Sequence, residues 1–194
     1  MANANAPFGL RPVRYLSGAP YTGAARKYYI PSSDTNTAVY IGSVVKLTGG
    51  ADADGIPVVT GNITTADAVV GVVVGVVPVT ADSTTYRANS TSRYVLVADD
   101  PNLLFEVQED SVGGALAATA CGATCILTGF TSGSTTTGLS AVMLDSSLVS
   151  ETSDTDDDVR IIELVQSPGN EVGTYARWLV RLNLHQYVNA AVGV

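Results

Sequence analysis

Residues 93–109 have the sequence RYVLVADDPNLLFEVQE, and this stretch gives the clearest indication of the fold. Two apolar runs, Arg93 to Ala98 and Leu103 to Glu109, flank the polar segment 99–102. Asp and Asn side chains bond to nearby backbone groups and Pro presets φ, so the segment predicts a turn. The second run alternates between apolar and polar residues, the period of two that is typical of a strand. The stretch therefore predicts a β-hairpin.

Similar runs recur along the chain, which is rich in the strand-favouring residues Val and Thr. Further strand candidates are Ala38 to Leu47, Ile56 to Thr60, Ala68 to Val79, Ala141 to Leu144, Val159 to Gln166 and Trp178 to His185. The Ala68 to Val79 run is too short for a membrane-spanning helix, which needs roughly 20 residues, and it predicts a buried strand or a bent pair of strands. Residues 111–125 are the only helical candidate, with two turns at most. About nine or ten short strands predict an all-β protein, built as a β-barrel or β-sandwich.

The two ends of the chain differ in charge. The first 33 residues carry four cations and no acid, whereas the other 161 carry six cations and eighteen acids. Four prolines interrupt the first segment, and each one fixes φ and removes a hydrogen-bond donor. We therefore expect an extended N-terminal arm, residues 1–33, that makes few contacts with a β-rich body, residues 34–194, and orders on another protein. A strap packed against its own domain is the alternative. The arm side chains expected to contact the partner are Phe8, Leu10, Arg11, Arg14, Tyr15, Tyr21, Arg26, Lys27, Tyr28 and Tyr29.

The sequence offers little for catalysis. His185 is the only histidine, and it lies on the polar side of its strand candidate, so we expect a surface or interface residue. Catalytic triads and Cys–His dyads require a histidine beside a nucleophile. No nucleotide-binding motif is present. We predict that the protein is not an enzyme and uses no cofactor. A pI near 4.4 also argues against a nucleic-acid partner.

Metal sites are also not predicted. Cys121 and Cys125 are expected to be free, buried thiols, although a disulfide is possible, and zinc would need two further ligands. Asp154, Asp156 and Asp158 have the spacing of a calcium loop. That loop requires glycine at its sixth position and glutamate at its twelfth, where this chain has valine. A solvated acidic loop is the preferred interpretation, and a looser surface calcium site is left open.

Several segments together resemble one family over nearly the whole chain. They are 1–18 (MANANAPFGLRPVRYLSG), 28–31 (YYIP), 40–47 (YIGSVVKL), 72–76 (VVVGV), 93–101 (RYVLVADDP), 105–110 (FEVQED), 144–147 (LDSS) and 180–186 (VRLNLHQ). In these segments the chain resembles the capsid decoration, or cement, proteins of tailed bacteriophages. The resemblance implies a β-rich body on the outer surface of the virion shell, made in the host cytoplasm. It implies contacts that clamp neighbouring major capsid protein subunits, and self-association, often as a homotrimer.

Two other classes compete with this interpretation. A phage tail, neck or fibre structural protein would also be β-rich and oligomeric. A secreted β-rich carbohydrate-binding domain is the second alternative, but we expect no secretion signal, and the chain has a single tryptophan for stacking on sugars. No membrane partner is expected.

Overall fold

The computed structural model describes residues 3–35, 38–150 and 156–188. Its strands are β1 (Arg11–Tyr15), β2 (Arg26–Ile30), β3 (Val44–Ala51), β4 (Pro57–Thr60), β5 (Gly71–Val76), β6 (Arg93–Ala98), β7 (Leu103–Gln108), β8 (Thr124–Thr128), β9 (Met143–Ser150), β10 (Val159–Leu164) and β11 (Arg177–Leu182). Within these residues the only helix is a 3₁₀ turn at Ala118–Ala120. The prediction of an all-β protein with a barrel is therefore confirmed. None of the described segments forms a helix that is both long enough and apolar enough to cross a membrane.

The strands form two sheets. One closes into a five-stranded barrel in the order β2-β4-β3-β5-β6, with β2 and β4 parallel and the other pairs antiparallel. The other is an open six-stranded sheet in the order β1-β7-β11-β10-β8-β9, antiparallel throughout. Closure of the barrel leaves it without free strand edges.

The two sheets pack around two apolar cores, and adjacent valines on one strand belong to different cores. Val45 and Val73 point into the barrel, whereas their neighbours Val44 and Val72 belong to the second core. The second core also contains the inner face of the six-stranded sheet, including the fully buried Trp178. Because successive side chains of a strand point to opposite faces, β3 and β5 contribute to both cores at once. The barrel wall therefore packs against the six-stranded sheet.

The hairpin predicted for residues 93–109 is wrong. β6 lies in the barrel between β2 and β5, and β7 lies in the six-stranded sheet between β1 and β11. The turn itself forms as expected: Asn102 N–H donates to the Asp100 carboxylate at 2.8 Å, and Leu103 N–H to the Asp100 carbonyl at 3.1 Å. Each strand has other partners on both edges, so no edge remains on which β6 and β7 could pair. The turn thus joins the two sheets.

Three smaller differences concern the limits of elements. The strand predicted for Ala38 to Leu47 begins at Val44 and continues through two glycines to Ala51. The helical candidate contributes only the 3₁₀ turn, and its end becomes part of β8. The valine run forms one strand, β5, with a bulge between Val73 and Gly75, rather than a bent pair.

The N-terminal segment is not an arm that lacks contacts with its own body. β1 pairs with β7 in the six-stranded sheet, and β2 completes the barrel between β4 and β6. Just before β1, Leu10 N–H donates to the Gly42 carbonyl at 3.0 Å, and a Cβ at Gly9 would lie 2.6 Å from that oxygen. The strap alternative is therefore what the structure describes, because strand pairing satisfies the backbone groups that a free arm would expose to water.

Candidate interaction surface

The outer face of the six-stranded sheet carries an unusual set of side chains. Trp178 and Val180 of β11 point into the core, so their neighbours on the strand point outward, as do the cross-strand partners of those neighbours. The outward arginines are Arg11, Arg14, Arg160, Arg177 and Arg181, and we call them the arginine face. They are half of the ten cations in the chain.

This face has the opposite charge to the protein. Two carboxylates, Glu106 and Glu163, lie among the five arginines, which gives these seven side chains a formal charge of +3. The whole chain has a formal charge of −8, so the remainder carries −11. A cationic face on an acidic body produces a strong charge asymmetry, which steers and orients association with charged partners.

Glu106 holds two arginines at the β1 edge of the face. Its carboxylate accepts from Arg11 Nε at 3.2 Å and from Arg177 Nη1 at 2.9 Å, and its side chain is 6% exposed. Arg177 Nη2 also donates to the Ser167 hydroxyl at 2.7 Å. Arg11 lies over the Phe8 ring at 5.0 Å, which adds a cation–π contact. These contacts fix the side-chain positions of Arg11 and Arg177. Because one carboxylate is shared by two guanidinium groups, this end of the face keeps a net charge of one arginine.

Arg14 of β1 reaches across the sheet to form an ion pair with Glu163 of β10. β7 and β11 lie between these strands, and they contribute Leu104 and Leu179 to the outer face. Both leucines are nearly inaccessible, with exposures of 2% and 6%. Since the ion pair passes over both strands, the aliphatic parts of Arg14 and Glu163 help to cover two leucines that would otherwise face water.

The other side of the face differs because its arginines have no carboxylate partner. Arg160 and Arg181 are direct cross-strand partners on β10 and β11. Arg160 Nη1 donates to the Gly122 carbonyl at 3.3 Å, and Arg181 Nε donates to the Pro101 carbonyl at 2.9 Å. In the parts of the chain that the structure describes, neither forms an ion pair. Like charges directly opposite each other destabilise a sheet.

The structure separates the residues expected to contact a partner into groups. Arg11 and Arg14 lie on the arginine face, Phe8 lies beneath Arg11, and Tyr15 and Tyr21 are half-buried against the core. Leu10 and Tyr28 are buried, with exposures of 2% and 1%. Their side chains contribute to the body itself and cannot contact a partner in this conformation.

The remaining three predicted residues surround the barrel end of the segment. Arg26 lies 3.4 Å from the Asp99 carboxylate, and Lys27 Nζ lies 4.2 Å from the centre of the Tyr94 ring. Tyr29 packs against the same ring, with the centres 5.2 Å apart. All four cations of the segment thus contact carboxylates or rings of their own chain. The positive charge of the N-terminal segment is therefore largely used in contacts within the chain itself.

Tyr28 connects the segment to the turn after β6 and to residue 187. Its hydroxyl donates to the Asp99 carboxylate at 2.7 Å and lies 2.8 Å from the Tyr187 hydroxyl. Burial, together with these hydrogen bonds, raises the pKa of Tyr28. A cleft of about 530 Å³ lies beside this network and is lined by Tyr15, Arg26, Asp99 and Tyr187 among others. The network is a structural brace between β2, the turn after β6 and residue 187.

Those candidate catalytic and metal-binding residues that the structure describes do not assemble into a site. His185 is 1% exposed, which corrects the expectation of a surface histidine, and burial lowers its pKa despite the nearby Asp99 carboxylate. Cys125 is buried as expected, but Cys121 is exposed, because the segment holding them is a turn and a strand rather than a helix; both are free. Within the described residues no three His, Cys, Asp or Glu side chains are grouped to hold a metal. Asp154 lies outside those residues.

Sequence reasoning missed two features. Asp158, assigned to a solvated loop, is 6% exposed, and its carboxylate accepts N–H bonds from Leu127 at 2.8 Å and Ala66 at 3.1 Å. The arginine face was missed because three of its members lie far from the N-terminal segment in sequence. A signal was present on β11, where Arg177 and Arg181 alternate with the apolar residues Trp178, Val180 and Leu182.

Comparisons with family models, with curated proteins and with solved structures found no match to this chain.

Proposed function

We propose that this protein is a virion structural protein, a capsid decoration protein that binds the outer surface of the major capsid shell and clamps neighbouring subunits. The observation that carries the proposal is the arginine face, a cationic sheet surface on a protein with a charge of −8. Such a surface suits an acidic protein partner. The resemblance of the sequence to decoration proteins supplies the class of that partner.

The construction of the body supports a clamping role. The N-terminal segment contributes one strand to each sheet, and both ends of the segment are held by ion pairs or buried hydrogen bonds. The β1 edge of the open sheet is also covered, since Tyr15 N–H donates to the Ala19 carbonyl at 2.8 Å and Tyr21 N–H to the Val13 carbonyl at 3.1 Å. A body tied together in this way resists being pulled apart when it bridges two subunits.

Binding should depend on both charge and apolar contact. Exposed ion pairs contribute about 0–1 kcal/mol each, and salt screens them over roughly 8–10 Å. Apolar burial contributes about 25 cal/mol per Å² and is not screened in this way. Val13 and Leu16, 39% and 51% exposed, lie beside the face and can supply apolar contact. We therefore expect salt to weaken shell binding without abolishing it, and homotrimers to bind more tightly than single chains.

The test is co-sedimentation of the purified full chain with undecorated shells of the virus that encodes it, over a salt series. The parent should bind at several hundred copies per shell. Arg160→Glu should weaken binding strongly, whereas Arg93→Glu, the same charge change on the barrel strand β6, should have little effect. A parent that does not sediment with shells, or a copy number of only a few to tens per virion, would overturn the proposal; the second result would indicate a tail, neck or fibre protein.

A further inference from the structure

We propose that Arg160 and Arg181 form a binding site for a carboxylate side chain of an acidic protein partner. This deepens the proposed function, on which it rests, because it assigns the chemistry of the partner to one pair of residues on the arginine face. Among the described residues, Arg160 and Arg181 are the only two cations that lie directly opposite each other on adjacent strands.

The first argument is geometric. Arg160 of β10 and Arg181 of β11 are in register, and directly opposed residues on one face have Cβ atoms about 4.5–5.5 Å apart. Like charges at directly opposed positions destabilise a sheet, even though hydrogen bonds hold the Arg160 guanidinium towards Gly122 and the Arg181 guanidinium towards Pro101, on opposite sides of the strand pair. An anion bound over the pair offsets this repulsion. The arrangement of Arg160 and Arg181 is therefore less stable without a bound anion than with one.

The second argument concerns hydrogen bonds. A guanidinium has five N–H donors and no acceptor. Arg160 uses one donor on the Gly122 carbonyl, and Arg181 uses one on the Pro101 carbonyl. Both contacts hold the side chains in place while most of the donors remain available. Arginine and carboxylate match in geometry, with two parallel N–H···O bonds per pair.

The third argument separates this pair from the other arginines of the face. Arg11 and Arg177 share the buried Glu106, and Arg14 has Glu163. Those three already have the partner that a guanidinium prefers. Arg160 and Arg181 occupy the same outer face, with Arg160 exposed and Arg181 half-buried. A partner carboxylate at this point would complete the pattern of paired charges that the chain itself builds on the rest of the face.

An acidic protein fits this site better than a nucleic acid. The two glutamates of the face and the charge of −8 on the chain would repel an extended line of phosphates. Nucleic-acid affinity requires many cations along a track, whereas within the described residues only Arg160 and Arg181 of this face lack a carboxylate partner. A single carboxylate, or two on adjacent residues, matches the size of the site.

The experiment measures binding of a peptide containing four consecutive glutamates to the purified full chain, by calorimetry at low salt. The same peptide with glutamines controls for backbone contacts, and a short DNA duplex controls for phosphate. Arg160→Gln and Arg181→Gln should each weaken binding of the glutamate peptide at least fivefold. Arg93→Gln, which removes one charge from the barrel, should change it less than twofold. Arg160→Lys should give an intermediate loss, because it keeps the charge but not the paired donors.

Each outcome is decisive. Any of three results would overturn the carboxylate site. Arg160→Gln could bind the glutamate peptide as the parent does, or Arg160→Gln and Arg93→Gln could lose equal affinity. The third result is a parent protein that binds the DNA duplex more tightly than the peptide. Arg160 is exposed, so its variants should fold, and Arg181→Gln provides an independent check. Shell binding is measured separately. If peptide binding depends on Arg160 but the parent does not bind shells, the carboxylate site is supported and the capsid function is overturned. If the parent binds shells but peptide binding does not depend on Arg160, the capsid function is supported and the carboxylate site is overturned.

Discussion

Arg14 and Glu163 form an ion pair across two intervening strands, β7 and β11. Adjacent strands are about 4.7–4.9 Å apart, so the two side chains extend towards each other over the outer face of the sheet. Leu104 and Leu179 lie on the strands between them and are nearly inaccessible to water. The pair therefore links the N-terminal segment to the last third of the chain and shields apolar surface as well.

This arrangement predicts that the length of the side chain at position 14 matters more than its charge. Exposed ion pairs contribute about 0–1 kcal/mol, and both members are about 40% exposed. We expect Arg14→Ala to lower the free energy of unfolding by about 1–2 kcal/mol, because it also uncovers leucine surface. Arg14→Met should lose less than half as much. Urea denaturation measures both, and equal losses in the two variants would show that the charge dominates.

The N-terminal segment should remain attached after it is cut. Residues 16–20 and 22–24 are exposed between β1 and β2, and each strand is held by its own sheet. Limited proteolysis with a protease of broad specificity should cut between residues 16 and 24, and the two fragments should co-elute under native conditions. Release of the fragment that contains β1 would show that its pairing with β7 is weak. Deleting residues 1–33 should prevent folding, because loss of β2 opens the barrel and exposes two strand edges.

Asp158 should make stability fall as pH rises. Burial raises the pKa of Asp158 to about 6, above its ordinary value of 3.8. Between these values the folded state binds more protons than the unfolded state, so the stabilisation is complete below about pH 4 and is lost as pH rises through about 6. The expected loss is on the order of 2 kcal/mol. The difference in unfolding free energy between the parent and Asp158→Asn, measured from pH 4 to 7, isolates this group; parallel curves would contradict the prediction.

The two cysteines should react very differently. Cys121 is exposed, whereas Cys125 is fully buried and burial raises its pKa to about 12. Because the thiolate is the reactive form, iodoacetamide should modify one thiol in the native protein and two after denaturation. Intact mass spectrometry counts the adducts, and Cys121→Ser should give none under native conditions. Rapid double labelling of the native parent would show that Cys125 is accessible.

The fold class and most strand positions could be predicted from the amino-acid sequence. β-Branched residues, period-two alternation and turn residues are local properties, so β4, β5, β6, β7, β10 and β11 were placed to within a few residues. The sequence also shows that residues 1–33 are basic and the remainder acidic. The strands β1 and β2 were missed, because prolines and short apolar runs there lack the period that identifies a strand.

Which strands are neighbours could be learned only from the three-dimensional fold. The turn at Asp99–Asn102 was correctly located, but a turn fixes the direction of the chain over a few residues and does not select the partner of the strand that follows. β6 and β7 do not pair with each other because other strands occupy both edges of each, β2 and β5 for β6 and β1 and β11 for β7. The arginine face has the same origin: Arg14, Arg160 and Arg181 belong to three strands and meet only through sheet register. Long-range strand pairing determines that surface, and it brings the side chains of Arg14 and Glu163, 149 positions apart in sequence, into contact.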